Sequence, residues 1–104
     1  MAYPKINIGK VSNVFIRMMS FEKAGDVEEG HSHDFDHVTL LSKGSLKIKV
    51  NGKETIFNAP HLIFIDKDRD HELTALEDNT IACCIHGVRD DSGDIVDAAW
   101  IPNK

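Results

Sequence analysis

Apolar and polar residues alternate along this chain in short runs, and the run Ser45-Leu46-Lys47-Ile48-Lys49-Val50 does so at every position. In an extended strand that pattern turns Leu46, Ile48 and Val50 toward a core and both lysines toward water. Asn51-Gly52 follows it, the positive-φ pair of a type I′ hairpin, which predicts a return through Glu54 to Phe57. Runs rich in Val, Ile, Phe, Thr and Leu recur at Val11 to Phe21, Leu62 to Ile65 and Thr80 to Val88. Turn signals separate them at Gly25 to Gly30, Ser42-Lys43-Gly44, Asn58-Ala59-Pro60, Asp66 to Asp70, Glu77-Asp78-Asn79 and Asp90 to Gly93. This rhythm predicts an all-β sandwich or barrel. The one helical candidate, Phe21-Glu22-Lys23-Ala24, is too short to stand alone and stops at Gly25.

The chain has 104 residues, the size of one domain, and the sequence shows no linker, repeat or low-complexity segment to divide it. With 41% hydrophobic and 28% charged residues it reads as a folded, water-soluble chain, and no apolar run approaches a spanning helix. The formal net charge of −5, with scattered lysines and arginines, argues against a nucleic-acid partner, since phosphate binding needs clustered cations. Residues Met1 to Lys10 lack the uninterrupted apolar stretch of a secretory signal, so the expected compartment is the cytoplasm, with no membrane partner. The two cysteines, Cys83 and Cys84, are sequence neighbours, which rarely bridge one another, and are expected as free thiols.

The chemistry concentrates in Gly30-His31-Ser32-His33-Asp34-Phe35-Asp36-His37, with His71 after a polar loop. In an extended strand the His-x-His spacing puts His31 and His33 on one face, two imidazoles aimed at a common point, and His37 can join them after a short turn. His61 and His86 are read instead as ordinary hydrogen-bonded or surface histidines.

Followed after six residues by Gly44, the first segment resembles the first cupin motif, which runs Gly, several residues, His-x-His, three or four residues, Glu, six residues, Gly. Here His37 stands where that family usually has Glu. Asn58 through Leu73 is similar to the second cupin motif: a turn with Pro60, the strand Leu62 to Ile65, a loop, then His71, with Asp66 to Asp70 in place of the usual Pro-x-Gly. The resemblance covers roughly residues 11 to 88. It implies a double-stranded β-helix, a cupin jelly-roll barrel forming a single domain over residues 1–104, with a C-terminal strand at 94–101. It also implies one divalent transition metal inside, on His31, His33, His37 and His71, as in the four-histidine cupin subgroup.

Neutral imidazoles suit Mn, Fe, Ni, Cu or Zn. A site without a carboxylate leaves the ion its full double charge, which favours small chelating anions such as enolates, catecholates and α-hydroxy or keto acids. Leu73 and Ala75 share the face of His71 and are expected in the pocket wall. On the next strand the wall takes Cys83 with Ile81 and Ile85, or in the other phase Cys84 with Ala82 and His86, and Met18 with Met19 and Phe21 would close the mouth. The leading expectation is a metal-dependent oxygenase or related redox enzyme acting on a small-molecule ligand. The alternatives are a non-redox isomerase or lyase, with His86 or Cys83 as candidate base, and a binding or sensing module without turnover. Val11 to Phe21 and Ile95 to Ile101 read as outer strands whose edges would pair in a homodimer.

Overall fold

The computed structural model describes residues 2–31, 37–66 and 70–87. These form nine strands: β1 (Lys5–Val11), β2 (Val14–Phe21), β3 (Val27–His31), β4 (His37–Lys43), β5 (Ser45–Val50), β6 (Lys53–Asn58), β7 (His61–Ile65), β8 (His71–Ala75) and β9 (Thr80–Gly87). No helix occurs among them, so none is long and apolar enough to cross a membrane.

Two antiparallel sheets face each other. One has the order β1-β2-β9-β4-β7 and the other β3-β8-β5-β6, so from β2 onward the chain passes repeatedly between them, as in a jelly roll. Sequence neighbours that are not sheet neighbours therefore meet inside the barrel. That is how the two histidine segments, far apart in sequence, reach one site.

The alternation in Ser45 to Val50 becomes β5, with Leu46 and Ile48 buried and Lys49 exposed. Asn51 and Gly52 take φ of 49° and 85°, the backbone that a type I′ turn requires, and β6 pairs back from Val50↔Lys53 to Ser45↔Asn58. Leu46, Ile48, Leu73 and Ala75 from one sheet meet Met19, Phe21, Leu41, Ile63, Ile65 and Ala82 from the other in a single buried core. Burial of a large apolar side chain contributes about 1.5–3 kcal/mol, so this layer holds the sheets together.

Two expectations are corrected. The run Val11 to Phe21 is not one strand: Ser12 takes a positive φ of 54°, and the chain folds back so that Val11 pairs with Val14. Consequently β2 lies between β1 and β9 and offers no open edge for a partner; among the described residues the edge strands are β1, β7, β3 and β6. The strand expected at 94–101 lies outside the described residues.

The corner between β4 and β5 is built on Gly44, at φ 87°. Its carbonyl accepts the Ala59 N–H at 2.9 Å, and next to it the Ser45 hydroxyl contacts Asn58 Oδ1, at 2.8 Å, and the Glu77 carboxylate. At the same end of β8 the buried Asp26 carboxylate accepts the N–H groups of Lys23 and Ala2, and Gly25 and Asp26 exchange backbone hydrogen bonds with Ala75, next to the Leu76 N–H that donates to the Ser45 carbonyl. These ties anchor the loop that feeds β3.

Candidate functional site

A cavity of about 370 Å³ opens between the two sheets, and His37 and His71 stand in its wall. Each histidine occupies the inward phase of its strand. On β4 the buried positions alternate as His37, Thr39 and Leu41, and on β8 as His71, Leu73 and Ala75. Both rings are buried, as are both ring nitrogens of His37. They face each other from opposite sheets with centroids 5.3 Å apart and planes inclined at 48°.

The other two histidines of the candidate set are placed less fully. His31 ends β3 directly across the ladder from His71, after a bulge that begins at Glu28. His33 lies outside the described residues. Among the described residues no group of three or more His, Cys, Asp or Glu is gathered as a metal set. The described part of the candidate set is the His37–His71 pair, with the His31 backbone beside it.

That pair fits a transition ion on two counts. Imidazole nitrogens are donors that such ions favour over the all-oxygen shells of Mg and Ca. Two imidazoles, each bound through nitrogen at about 2.1 Å to one ion, have ring centres about 5 Å apart, which matches the observed spacing.

Away from the histidines the cavity carries charge. Arg17 Nη1 of β2 forms an ion pair with Glu28 Oε2 of β3, joining the two sheets across the interior. Arg17 sits between the apolar Phe15 and Met19 on the inward face, and Glu28 pairs with Leu73 in the β3–β8 ladder. Farther out, the Tyr3 hydroxyl donates to Glu29 Oε1 at 3.1 Å, and that bond, with the carboxylate's charge, raises the phenol's pKa. Sequence reasoning passed over Arg17, although a lone cation in phase with Phe15, Met19 and Phe21 is a signal that alternation carries.

The remaining walls come from Leu73, Met19, Cys84 and the stacked pair Phe15–His86, whose ring centroids are 5.1 Å apart. Here the pocket expected from sequence is corrected. Leu73 lines the cavity, whereas Ala75 lies in the core. Met18, Cys83 and Ile85 stand on the outer face of the sheet, because the buried Thr80 and Ala82 set the inward phase of β9, and Met19 pairs with Ala82. The cavity therefore receives Met19, Cys84 and His86. Phe21 is fully buried in the core, and His61 packs at the surface against Phe57.

Both cysteines are free. Burial pushes the Cys84 thiol up, opposed in part by its 3.5 Å contact with the Thr39 hydroxyl and by the Arg17 charge. Cys84 stands in the cavity wall. Cys83 is also raised by burial.

No protein-family model matches the sequence, and no curated protein matches it. Solved structures do share the fold. KdgF from Halomonas sp. aligns with a TM-score of 0.71 at 17% identity, over 84% of this chain and 80% of that one. A cupin-2 domain protein from Shewanella frigidimarina aligns at 0.67 and 18% identity, over 84% and 83%. An RmlC-like cupin with a double-stranded β-helix from Methanocaldococcus jannaschii aligns at 0.69 and only 7% identity, over 82% of each chain. The fold is thus the cupin double-stranded β-helix. At these identities the likeness carries the architecture, and the chemistry has to be argued from the site.

Proposed function

We propose that this barrel is a metal-dependent enzyme of the redox, oxygenase-like type, holding one divalent transition ion on His31, His33, His37 and His71 and acting on a small chelating anion. The reading rests on the buried His37–His71 pair, facing each other at 5.3 Å in the wall of a 370 Å³ cavity, with His31 paired to His71 in the ladder. When bound, such an ion supplies a Lewis-acidic, redox-capable centre with exchangeable positions for a chelating substrate.

The chain's own residues do the rest. Four neutral imidazoles leave the ion's charge unreduced, so an anion is drawn to that end of the cavity. Arg17 offers a planar fork suited to a carboxylate or enolate oxygen, and a substrate anion entering there competes with Glu28 for the guanidinium. Phe15, Met19 and Leu73 exclude water along the walls.

A second reading has its own observation. Glu28 and His86 both line the cavity and can each take or return a proton, the function that an isomerase or lyase working through an enolate requires. In that version no oxidant is consumed.

Elemental analysis of protein purified without added metal or a histidine tag, paired with electron paramagnetic resonance, tests the metal. About one Mn, Fe, Ni or Cu per chain, with a signal altered by small α-hydroxy or keto acids, supports the proposal. Oxygen uptake with those acids separates the redox reading from the isomerase reading. Ligand binding with no turnover in either assay would leave a sensing module. Absence of metal from protein also soaked with each ion would sink the four-histidine site.

A further inference from the structure

The Arg17–Glu28 ion pair stands where the barrel otherwise packs apolar side chains. It joins the sheets between Phe15 and Met19 on β2 and beside Leu73 on β8. Only 13% of the Glu28 side chain and 31% of the Arg17 side chain are exposed. A partly buried pair contributes little to stability beyond what apolar residues of the same volume would, so holding the sheets together does not require these charges. Both groups face the cavity instead, and Glu29, held by the Tyr3 hydroxyl, adds a second carboxylate to the same wall. Among the described residues, Arg17, Glu28 and Glu29 leave that wall with one net negative charge.

We propose that Arg17 and Glu28 together recognise the charged head of an amino acid, the ligand's carboxylate taking the Arg17 guanidinium and its ammonium taking the Glu28 carboxylate. Exchange of partners selects this class. A plain carboxylate that captures Arg17 strands Glu28 as an unpaired charge in a largely enclosed place, and a plain amine that captures Glu28 strands Arg17. A ligand that carries both charges on one carbon skeleton replaces one ion pair by two. The guanidinium can donate two parallel N–H bonds to the ligand's carboxylate, and the Glu28 oxygens can accept from its ammonium. The second carboxylate of the wall, Glu29, further favours a ligand with a positive group over one without.

The site rests on the functional reading above in one respect, that the same cavity takes the substrate. Arg17, Cys84 and Thr39 form one inward row across β2, β9 and β4, and His37 lies two residues along β4 from Thr39. At about 4.8 Å per strand and about 3.4 Å per residue, the Cα positions of Arg17 and His37 are about 12 Å apart. Both side chains reach into that interval, so a short carbon chain spans the rest. A ligand whose far end is a second carboxylate therefore suits both ends of the cavity: its head meets Arg17 and Glu28, and its tail meets the His37–His71 pair. That class is the acidic amino acids. In the isomerase version Glu28 is then occupied by the ammonium, and His86 is the proton carrier.

Backbone-amide NMR titration of the full chain with matched acids tests this: L-aspartate against succinate, and L-glutamate against glutarate, each pair differing only in the ammonium. The series is run on protein stripped of metal over a chelating resin and again on zinc-loaded protein. In at least one pair the amino acid is expected to bind at least about tenfold more tightly than its partner, and Glu28→Gln, which keeps shape and volume, to abolish that advantage. Arg17→Ala is expected to weaken all four acids. A smaller advantage in both forms of the wild type overturns the inference, as does binding of none of the four; these wild-type ratios decide even where a variant fails to fold. An advantage that survives Glu28→Gln overturns it as well. The metal reading is judged separately: the preference in a protein that takes up no metal keeps the amino-acid site and removes the ion, whereas metal uptake lost in His71→Ala, without the preference, does the reverse.

Discussion

His37 and His71 approach each other from opposite sheets, both buried, with ring centroids 5.3 Å apart. Two polar rings in that position are costly in an apolar core and reasonable at a metal site. His71→Ala and His37→Ala are each expected to weaken metal binding by at least about tenfold to a hundredfold. Thermal unfolding of the metal-free proteins should change little, because the core layer of Leu46, Ile48, Leu73, Leu41 and Ile63 is untouched. Full metal content in either variant would remove that histidine from the proposed set.

The Arg17–Glu28 pair ties the sheets through the cavity, with side-chain exposures of 31% and 13%. Arg17→Ala leaves the Glu28 carboxylate facing a partly desolvated space, and a loss of about 1–2 kcal/mol in urea unfolding is expected, nearer the value for exposed pairs than for buried ones. Glu28→Gln should cost less, and the double variant should show a coupling of about 1 kcal/mol. Anionic ligands should bind more weakly to Arg17→Ala, with Arg17→Lys recovering only part of the loss because the bidentate fork is gone. Unchanged affinity in Arg17→Ala would place the substrate elsewhere in the cavity.

Much of the barrel was legible because some strands have one wet face. β5 reads at sight, since Lys47 and Lys49 mark the solvent side and Asn51-Gly52 marks the turn. The phase of His71 with Leu73 was legible in the same way. The phase of β9 was not. Ile81 through Ile85 contains no charged or strongly polar residue to mark a wet face, because this stretch of β9 is apolar outward as well as inward, and only the buried Thr80 and Ala82 reveal which side is which. Met18 and Met19 on β2 are ambiguous for the same reason. Pairs such as Arg17 with Glu28 or Phe15 with His86 join strands that only the tertiary fold brings together.

Gly44 is required by space as well as by its φ of 87°. A Cβ at this position would lie 2.2 Å from Thr80 Oγ1 and 3.0 Å from the Thr80 Cα. Gly44→Ala is therefore expected to destabilise by roughly 2–4 kcal/mol, combining left-handed backbone strain with overpacking against a buried threonine. Adding Thr80→Ala relieves only the hydroxyl clash, at 2.2 Å, and not the approach to backbone, so rescue in chemical denaturation should be partial. Complete rescue would show that the backbone tolerates alanine there.

Stability should fall on the alkaline side, and the cysteines say where. Burial raises the Cys84 thiol above its ordinary value of 9.0, and Cys83 is raised as well. For an acid whose folded pKa lies above its unfolded pKa, the folded state binds the proton more tightly. The associated stability is fully present below the unfolded value and is lost as pH rises through the folded one. Thiol stabilisation is therefore intact at neutral pH and erodes above about pH 9. Urea midpoints measured from pH 7 to about pH 10.5 should decline less steeply in Cys84→Ala than in the wild type. Cys83→Ala, which removes the more open thiol, should show a smaller difference. Parallel curves for wild type and Cys84→Ala would mean that the alkaline loss comes from other groups, and that the Cys84 side of the cavity is better hydrated than its burial indicates.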